Sequence, residues 1–218
     1  MDKKALILTG TNCSYKSTLA GLIEPCIRES VVYPSSTVLV RNGLREYQAD
    51  SSFFDGTPEE VCDRFFPRID LTYRPRLALD ELMKFGRVIY KKFSPQQVAD
   101  IHWGLAKGLY PYVPVVIFEG IRYFETVNRL KETTSGRVVA LRVPDDVIVR
   151  RLVIGKVYTD EASAADWVQR ANEEYGFRQI EEELADEVHS TVGLSREENR
   201  DLAAKIAQNF IQSQRPHL

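Results

Sequence analysis

Gly10, Lys16 and Ser17 stand in the register of G-x-x-x-x-G-K-[ST], at the junction of two hydrophobic patterns. The run Ala5–Leu8 is short and continuously apolar, whereas Leu19, Leu22, Ile23, Cys26 and Ile27 recur three and four residues apart. The first pattern reads as a buried strand and the second as one face of a helix. A tight loop between them would wrap the backbone of Gly10, Thr11, Asn12, Cys13, Ser14, Tyr15, Lys16, Ser17 and Thr18 around a phosphate chain. The helix N-terminus and its dipole favour anions at that place. In such a loop Lys16 reaches the β- and γ-phosphates of ATP from the surface edge, and the Ser17 hydroxyl binds Mg²⁺.

Tyr15 occupies the place of the second glycine. Glycine lets backbone approach phosphate without a β-carbon in the way. The sequence therefore predicts that Tyr15 avoids the left-handed conformation, where a bulky residue is strained, and turns its ring out of the loop. The alternative is a chance strand, turn and helix with Lys-Ser at the helix start.

Further chemistry lies in Glu119-Gly-Ile-Arg122, which follows the apolar run Val113–Phe118. A continuous run of this kind reads as a strand buried on both faces of a parallel sheet. Glu119 at its end could bind Mg²⁺ through water or accept a proton from a hydroxyl; otherwise it pairs in the interior with Arg122 or Lys16. Thr37–Arg41 is the second predicted strand, with Asn42-Gly43 as a turn and Arg45 just beyond it. Val138–Val143 and Glu187–Val192 complete the strand set, and helices are expected from the apolar spacing between them. Alternating strands and helices imply an open parallel α/β sheet, here of five strands. Sites in such sheets lie outside the carboxyl ends of the strands. That edge would gather the loop at Gly10–Lys16, Arg41 and Arg45, and Glu119 with Arg122.

Between these elements, residues 50–76 interleave Phe53, Phe54, Phe65, Phe66 and Tyr73 with Arg64, Arg68, Arg74 and Arg76. This reads as an inserted lobe. Its aromatics either stack a base while its arginines hold a phosphate, or form the lobe's own core. Thr57-Pro58, Ser94-Pro95-Gln96-Gln97 and Ser195-Arg-Glu-Glu198 are helix-start signals. The stripe Val98, Ile101, Leu105, Leu109 marks a helix in which His102 and Trp103 read as packing residues. A turn-rich segment at about 155–165 precedes a long charged helix predicted from Asp166 to Leu184.

The chain of 218 residues, 44% hydrophobic and 28% charged, has ordinary globular composition and suits a single domain. A net charge of −2 gives no general attraction to nucleic acid or anionic membrane. Cys13, Cys26 and Cys62 lack metal-ligand spacing, as expected of reduced cytosolic thiols. No long apolar run is present, so a soluble, cytoplasmic protein is expected.

With these residues in hand, the chain resembles the P-loop kinases of the nucleoside monophosphate kinase superfamily. It is most similar to the nucleotide-kinase and dephospho-coenzyme-A-kinase-like branch. The resemblance runs through Gly10–Ser17, Phe85–Ala99, Val115–Arg122, Arg151-Leu152 and Gln169–Glu174. It implies one kinase domain over 1–218, with an acceptor lobe at about 50–76 and a lid at about 155–165. It implies that Arg122 holds the acceptor phosphate, that Arg151 and Arg170 close over the transferring group, and that Arg45 is a second acceptor position. The implied activity is transfer of the ATP γ-phosphoryl group, with Mg²⁺, to a nucleotide-like small molecule, a deoxynucleoside monophosphate being the first guess. A nucleoside, a coenzyme precursor or a hydroxylated nucleic-acid base stays open as acceptor. So does a nucleotide-binding or NTPase module whose altered loop has lost transfer. Oligomeric state is not legible.

Overall fold

The computed structural model describes residues 3–11, 14–73, 75 and 79–214. Asn12 and Cys13 of the predicted loop, and Arg74 and Arg76 of the predicted lobe, lie outside the described residues.

The chain builds a five-stranded, all-parallel sheet. In chain order the strands are β1 (Lys4–Gly10), β2 (Ser30–Pro34), β3 (Val115–Glu119), β4 (Arg137–Arg142) and β5 (Glu187–Ser190). In space they run β2-β3-β1-β4-β5. Successive residues of a strand face opposite sides, so each central strand feeds two cores. Leu6 and Leu8 of β1 point with Ile117, Val139 and Leu141 toward α1 (Lys16–Ile23) and the last helix (Arg196–Ser213). Ala5 and Ile7 point with Val116, Phe118 and Val138 into the larger core on the other face. Two stretches that carry the site leave the carboxyl edge of the sheet: the loop after Gly10 and the turn after Glu119.

The second strand differs from expectation. Thr37–Arg41 is not a strand but part of a π-helical stretch, Ser36–Asn42, that runs straight into α2 (Gly43–Ala49). No turn forms at Asn42-Gly43. The buried residues Thr37, Val38, Leu39, Asn42, Gly43 and Glu46 fall at helical spacing, and tertiary burial overrides β-branched propensity. The edge strand is instead Ser30–Pro34, in register with β3 from Ser30↔Val115 to Pro34↔Glu119.

The predicted helix starts hold. Thr57, Ser94 and Ser195 each accept from the backbone N–H three residues on, and Glu60, Gln97 and Glu198 return the bond. These caps open α3 (Pro58–Phe65), α5 (Pro95–Leu109) and the helix from Arg196; α4 (Leu79–Lys92) precedes α5. α6 (Phe124–Thr134) and α7 (Asp145–Ile154) follow β3 and β4. The charged helix begins earlier than predicted: Asp160 caps it by accepting from Ser163 N–H at 2.8 Å, so α8 spans Glu161–Tyr175. It stops at Gly176, which takes φ +65°, before a short turn of helix, α9 (Phe177–Gln179), and a π-helical turn, Ile180–Leu184. The helix from Arg196 is thus α10. Among the described residues no helix is long and apolar enough to cross a membrane.

Three of the aromatics of 50–76 pack as a core, while Phe66 is exposed. Phe53, Phe54 and Phe65 are fully buried, with ring centroids 5.2–5.9 Å apart, and Phe54 meets Phe85 of α4. Arg64 and Arg68 lie over the Phe53 ring at 5.7 and 5.4 Å. Arg68 also donates to Glu46 Oε2 at 3.0 Å. Burial pushes the Glu46 carboxyl up, but hydrogen bonds from Arg68 and Arg45 outweigh this and hold it below its usual value. Arg68→Ala is therefore expected to cost about 1 kcal/mol, the scale of one exposed cation–π contact and one half-exposed ion pair. That is a drop of roughly 2–4 °C in Tm, with the ranking of phosphate acceptors unchanged. A melting curve beside an acceptor panel checks it; a changed ranking at unchanged Tm would overturn the packing role.

Candidate active site

The loop between β1 and α1 is shaped from its first residue. Gly10 takes φ +137°, and a β-carbon there would lie 2.5 Å from the Leu141 carbonyl oxygen of β4. Only glycine fits both the torsion and the space. Further along, Thr191 donates to the buried Ser14 carbonyl at 3.2 Å and ties the loop to the chain after β5.

Lys16 opens α1 but is not on the surface edge. It is 7% exposed, and its ammonium donates to Gly10 O at 3.0 Å, to Ser14 Oγ at 3.0 Å and to Thr11 O. The expectation fails because the loop closes over the side chain instead of leaving it in solvent. The N-cap residue of α1, Tyr15, offers no side-chain cap, and the first main-chain bond that closes the helix runs from Leu19 N–H to Tyr15 O. The N–H groups of the first turn thus have no intrahelical acceptor, which suits an anion.

Tyr15 corrects a second expectation. It does adopt the left-handed conformation, φ 60° and ψ 23°. The loop keeps the path that a glycine would give it, at a conformational cost of about 1–3 kcal/mol. The phenol does turn outward, 51% exposed, and the Arg151 guanidinium from α7 lies over it, 4.6 Å from the ring centroid.

Across the cleft, Ser17 Oγ donates to Glu119 Oε1 at 2.7 Å. This joins the first turn of α1 to the end of β3. Glu119 is buried, and Ser35 donates to its carbonyl oxygen. Two hard oxygen donors side by side fit Mg²⁺, which is commonly held by one or two protein oxygens plus substrate phosphates. Among the described residues no cluster of three His, Cys, Asp or Glu side chains offers a competing metal site.

These groups face one cavity of about 560 Å³. Ser14, Tyr15, Lys16, Ser17 and Thr18 of the loop and first turn line it together with Glu119, Arg122, Arg41 and Arg151. Arg122 also lies over the Tyr175 ring, 5.4 Å from its centroid. Arg41 reaches the cleft from a helix and not from a strand end, and also donates to Pro75 O at 3.2 Å. A second cavity of about 670 Å³ continues past Tyr15, Thr18 and Arg151 to Leu22, Thr191 and Arg196. Tyr15 and Arg151 stand between the two.

Two predicted site residues are not brought to this cleft. Arg45, on α2, donates to Glu46 at 2.8 Å and to Arg68 O, and stacks on Tyr73. Arg170, on α8, is bonded to Asp166 at 2.9 Å and lies 3.9 Å from Asp80. A groove of about 970 Å³ between α7 and α8 is larger but holds none of the loop residues. The sequence did not point to the stacking of Arg151 on Tyr15, nor to Ser36 and Leu82, which also line the cleft.

Among solved structures, the chain is similar to a dephospho-CoA kinase from Campylobacter jejuni, with a TM-score of 0.50 and 13% identity. The alignment covers 97% of this chain and 100% of that one. The likeness is one of fold: an open, all-parallel five-stranded sheet flanked by helices. A shikimate kinase from Bacteroides thetaiotaomicron (TM-score 0.49, 14% identity) aligns over 96% of this chain and 98% of its own. A gluconokinase from Sinorhizobium meliloti 1021 (TM-score 0.49, 12% identity) aligns over 98% of each chain. No protein-family model matches the chain, and no curated protein sequence does.

Proposed function

We propose that this protein is an ATP-dependent, cytoplasmic kinase that transfers the γ-phosphoryl group to a small nucleotide-like acceptor, with a deoxynucleoside monophosphate as first candidate. The observation that carries this reading is the convergence of Lys16, the Ser17–Glu119 pair, Arg41, Arg122 and Arg151 on one cleft at the carboxyl edge of the sheet. The likeness to a dephospho-CoA kinase supports transfer to a small molecule.

Phosphoryl transfer asks a protein mainly for positioning and charge neutralisation. Loop N–H groups and Lys16 would bind the donor phosphates, the lysine trading its carbonyl partners for phosphate oxygens. Ser17 and Glu119 would hold Mg²⁺, which when bound neutralises charge on those oxygens. Arg122 and Arg41 would grip the acceptor's anionic group, because a planar guanidinium matches phosphate in two-point geometry. Arg151, over Tyr15, would face the charge that develops between donor and acceptor.

The test is ADP release from ATP and Mg²⁺ across a panel of monophosphates, nucleosides and sugar acids. Stimulation by one acceptor class is expected; a flat panel would leave a nucleotide-binding module instead. Arg122→Ala is expected to raise the acceptor KM or lower kcat by roughly 10²-fold, the scale of one lost charge-stabilising group. ATP binding measured alone should stay within a few-fold. Equal damage to ATP binding would move Arg122 to the donor side.

A further inference from the structure

A small cavity of about 80 Å³ opens off the phosphate cleft. The two share Ser36, Leu82, Gly120 and Arg122. Away from that mouth its wall is made of Leu39, Ile89, Val98 and Ile121 with the rings of Tyr90 and Tyr123. Both phenols are engaged elsewhere: Tyr90 bonds Thr126 at 2.8 Å, and Tyr123 donates to Glu174 at 2.8 Å. Among the described lining residues Arg122, shared with the cleft, is the one charged group; Ser35 is bonded to the Glu119 carbonyl, and the Tyr175 ring lies under Arg122.

One side chain on the wall differs from the rest. His102 is 6% exposed, and its Nδ1 lies 3.2 Å from the hydroxyl of Tyr33. Among the described residues its other ring nitrogen, Nε2, has no hydrogen-bond partner, although the residue lines the cavity. The tautomer follows from Tyr33. That phenol is fully buried, and among the described residues His102 Nδ1 is its sole hydrogen-bond partner. If Nδ1 is bare, Tyr33 donates to it and Nε2 carries the ring proton. The reverse tautomer would strand the buried phenol proton, at about 1–3 kcal/mol. Burial also pushes the imidazole down to about 3, so it stays neutral. His102 therefore brings one fixed N–H donor, at Nε2, to a cavity whose lining is largely apolar and aromatic.

Size and polarity limit what fits. A dry cavity of about 150 Å³ holds benzene, so this one admits the edge of a single ring whose remainder lies in the cleft. A carboxylate seated beyond Arg122 would be desolvated without a charge partner. A polyol would set hydroxyls against the apolar wall of Leu39, Ile89, Val98 and Ile121 without partners.

Resting on the kinase reading above, we propose that His102 Nε2–H selects the acceptor. It donates to a carbonyl oxygen or ring nitrogen of a compact, single-ring, unsaturated acceptor, at the end remote from the transferred phosphoryl group. Tyr33 is the positioning residue that fixes the donor.

The experiment uses the full chain with ATP and Mg²⁺, and deoxyuridine monophosphate, deoxyadenosine monophosphate and gluconate as probes. Deoxyuridine monophosphate is expected to stimulate ADP release most. His102→Phe should raise its KM roughly tenfold, and His102→Gln, which restores an N–H donor, should bring it back to within a few-fold. The KM for ATP should move less than twofold in both. An unchanged KM in His102→Phe, or a preference for gluconate or the purine, would overturn the proposal. If His102→Phe does not fold, Tyr33→Phe serves, since it keeps the ring and releases the tautomer; a KM raised several-fold supports the assignment and an unchanged one overturns it. If no probe stimulates ADP release, the kinase reading fails on its own. Calorimetric binding of deoxyuridine monophosphate then decides the pocket: binding to the parent that weakens tenfold in the variant supports it, and equal or absent binding overturns it.

Discussion

Lys16→Ala is expected to lower phosphoryl transfer by roughly 10²–10³-fold, the effect of removing one charge-stabilising donor worth about 2.7–4 kcal/mol. Among the described residues its ammonium is the one lysine charge that lines the phosphate cleft. The same variant should also melt lower, which a surface lysine would not cause. Lys16 is buried and holds Gly10 O, Thr11 O and Ser14 Oγ together, so alanine leaves loop acceptors without their donor. Hydrogen bonds to charged groups contribute about 1.5–3 kcal/mol, so a fall of several degrees in Tm is expected. The two effects separate when turnover is measured well below the variant's own melting point. Lys16→Met, which keeps the stem and removes the charge, should show the same kinetic loss. Turnover within a few-fold of the parent in a folded variant would remove the phosphate-loop reading.

What was legible in the sequence was what depends on near neighbours in the chain. The spacing of Gly10, Lys16 and Ser17, the continuous apolar runs of β1, β3 and β4, and the three helix-start signals are all local signals, and each element formed where they stood. The edge strand was not legible. Ser30–Pro34 has one fully buried residue, Tyr33, and so carries little pattern, while Thr37–Arg41 has a stronger β-branched composition but is claimed by helical packing. That error carried Arg45 toward the site: on a strand end it would face the cleft, on α2 it faces Glu46 and Arg68. The start of α8 was marked by Asp160 and Ser163, a cap signal read instead as turn, and its end by Gly176, a residue suited to a left-handed helix stop. His102 was expected to pack and is buried, but which of its nitrogens carries the proton depends on Tyr33, distant in sequence. Spacing along a chain does not report such a pair.

The conformation of Tyr15 is the point where loop geometry overrode the residue's own preference. Tyr15→Gly is expected to raise stability by about 1–3 kcal/mol through relief of the left-handed torsion, less about 0.5–1 kcal/mol for the lost stack with Arg151. For a chain of this size each kcal/mol is roughly 2–4 °C in Tm. Function should move the other way. With the ring gone, the Arg151 guanidinium loses the stack that places it 4.6 Å from the Tyr15 ring centroid, and the wall between the two cavities opens. ATP binding should stay within about tenfold of the parent, because the loop path suits glycine, while acceptor turnover falls by more. Tyr15→Phe keeps both strain and stack, so it should melt and turn over like the parent unless the hydroxyl itself is used. Thermal melting, ATP titration and acceptor-stimulated ADP release on the two variants check these outcomes together. A different result would reverse the reading of the site. If Tyr15→Gly tightens ATP binding well beyond tenfold and awakens transfer that the parent lacks, the tyrosine blocks the loop, and a nucleotide-binding module replaces the kinase.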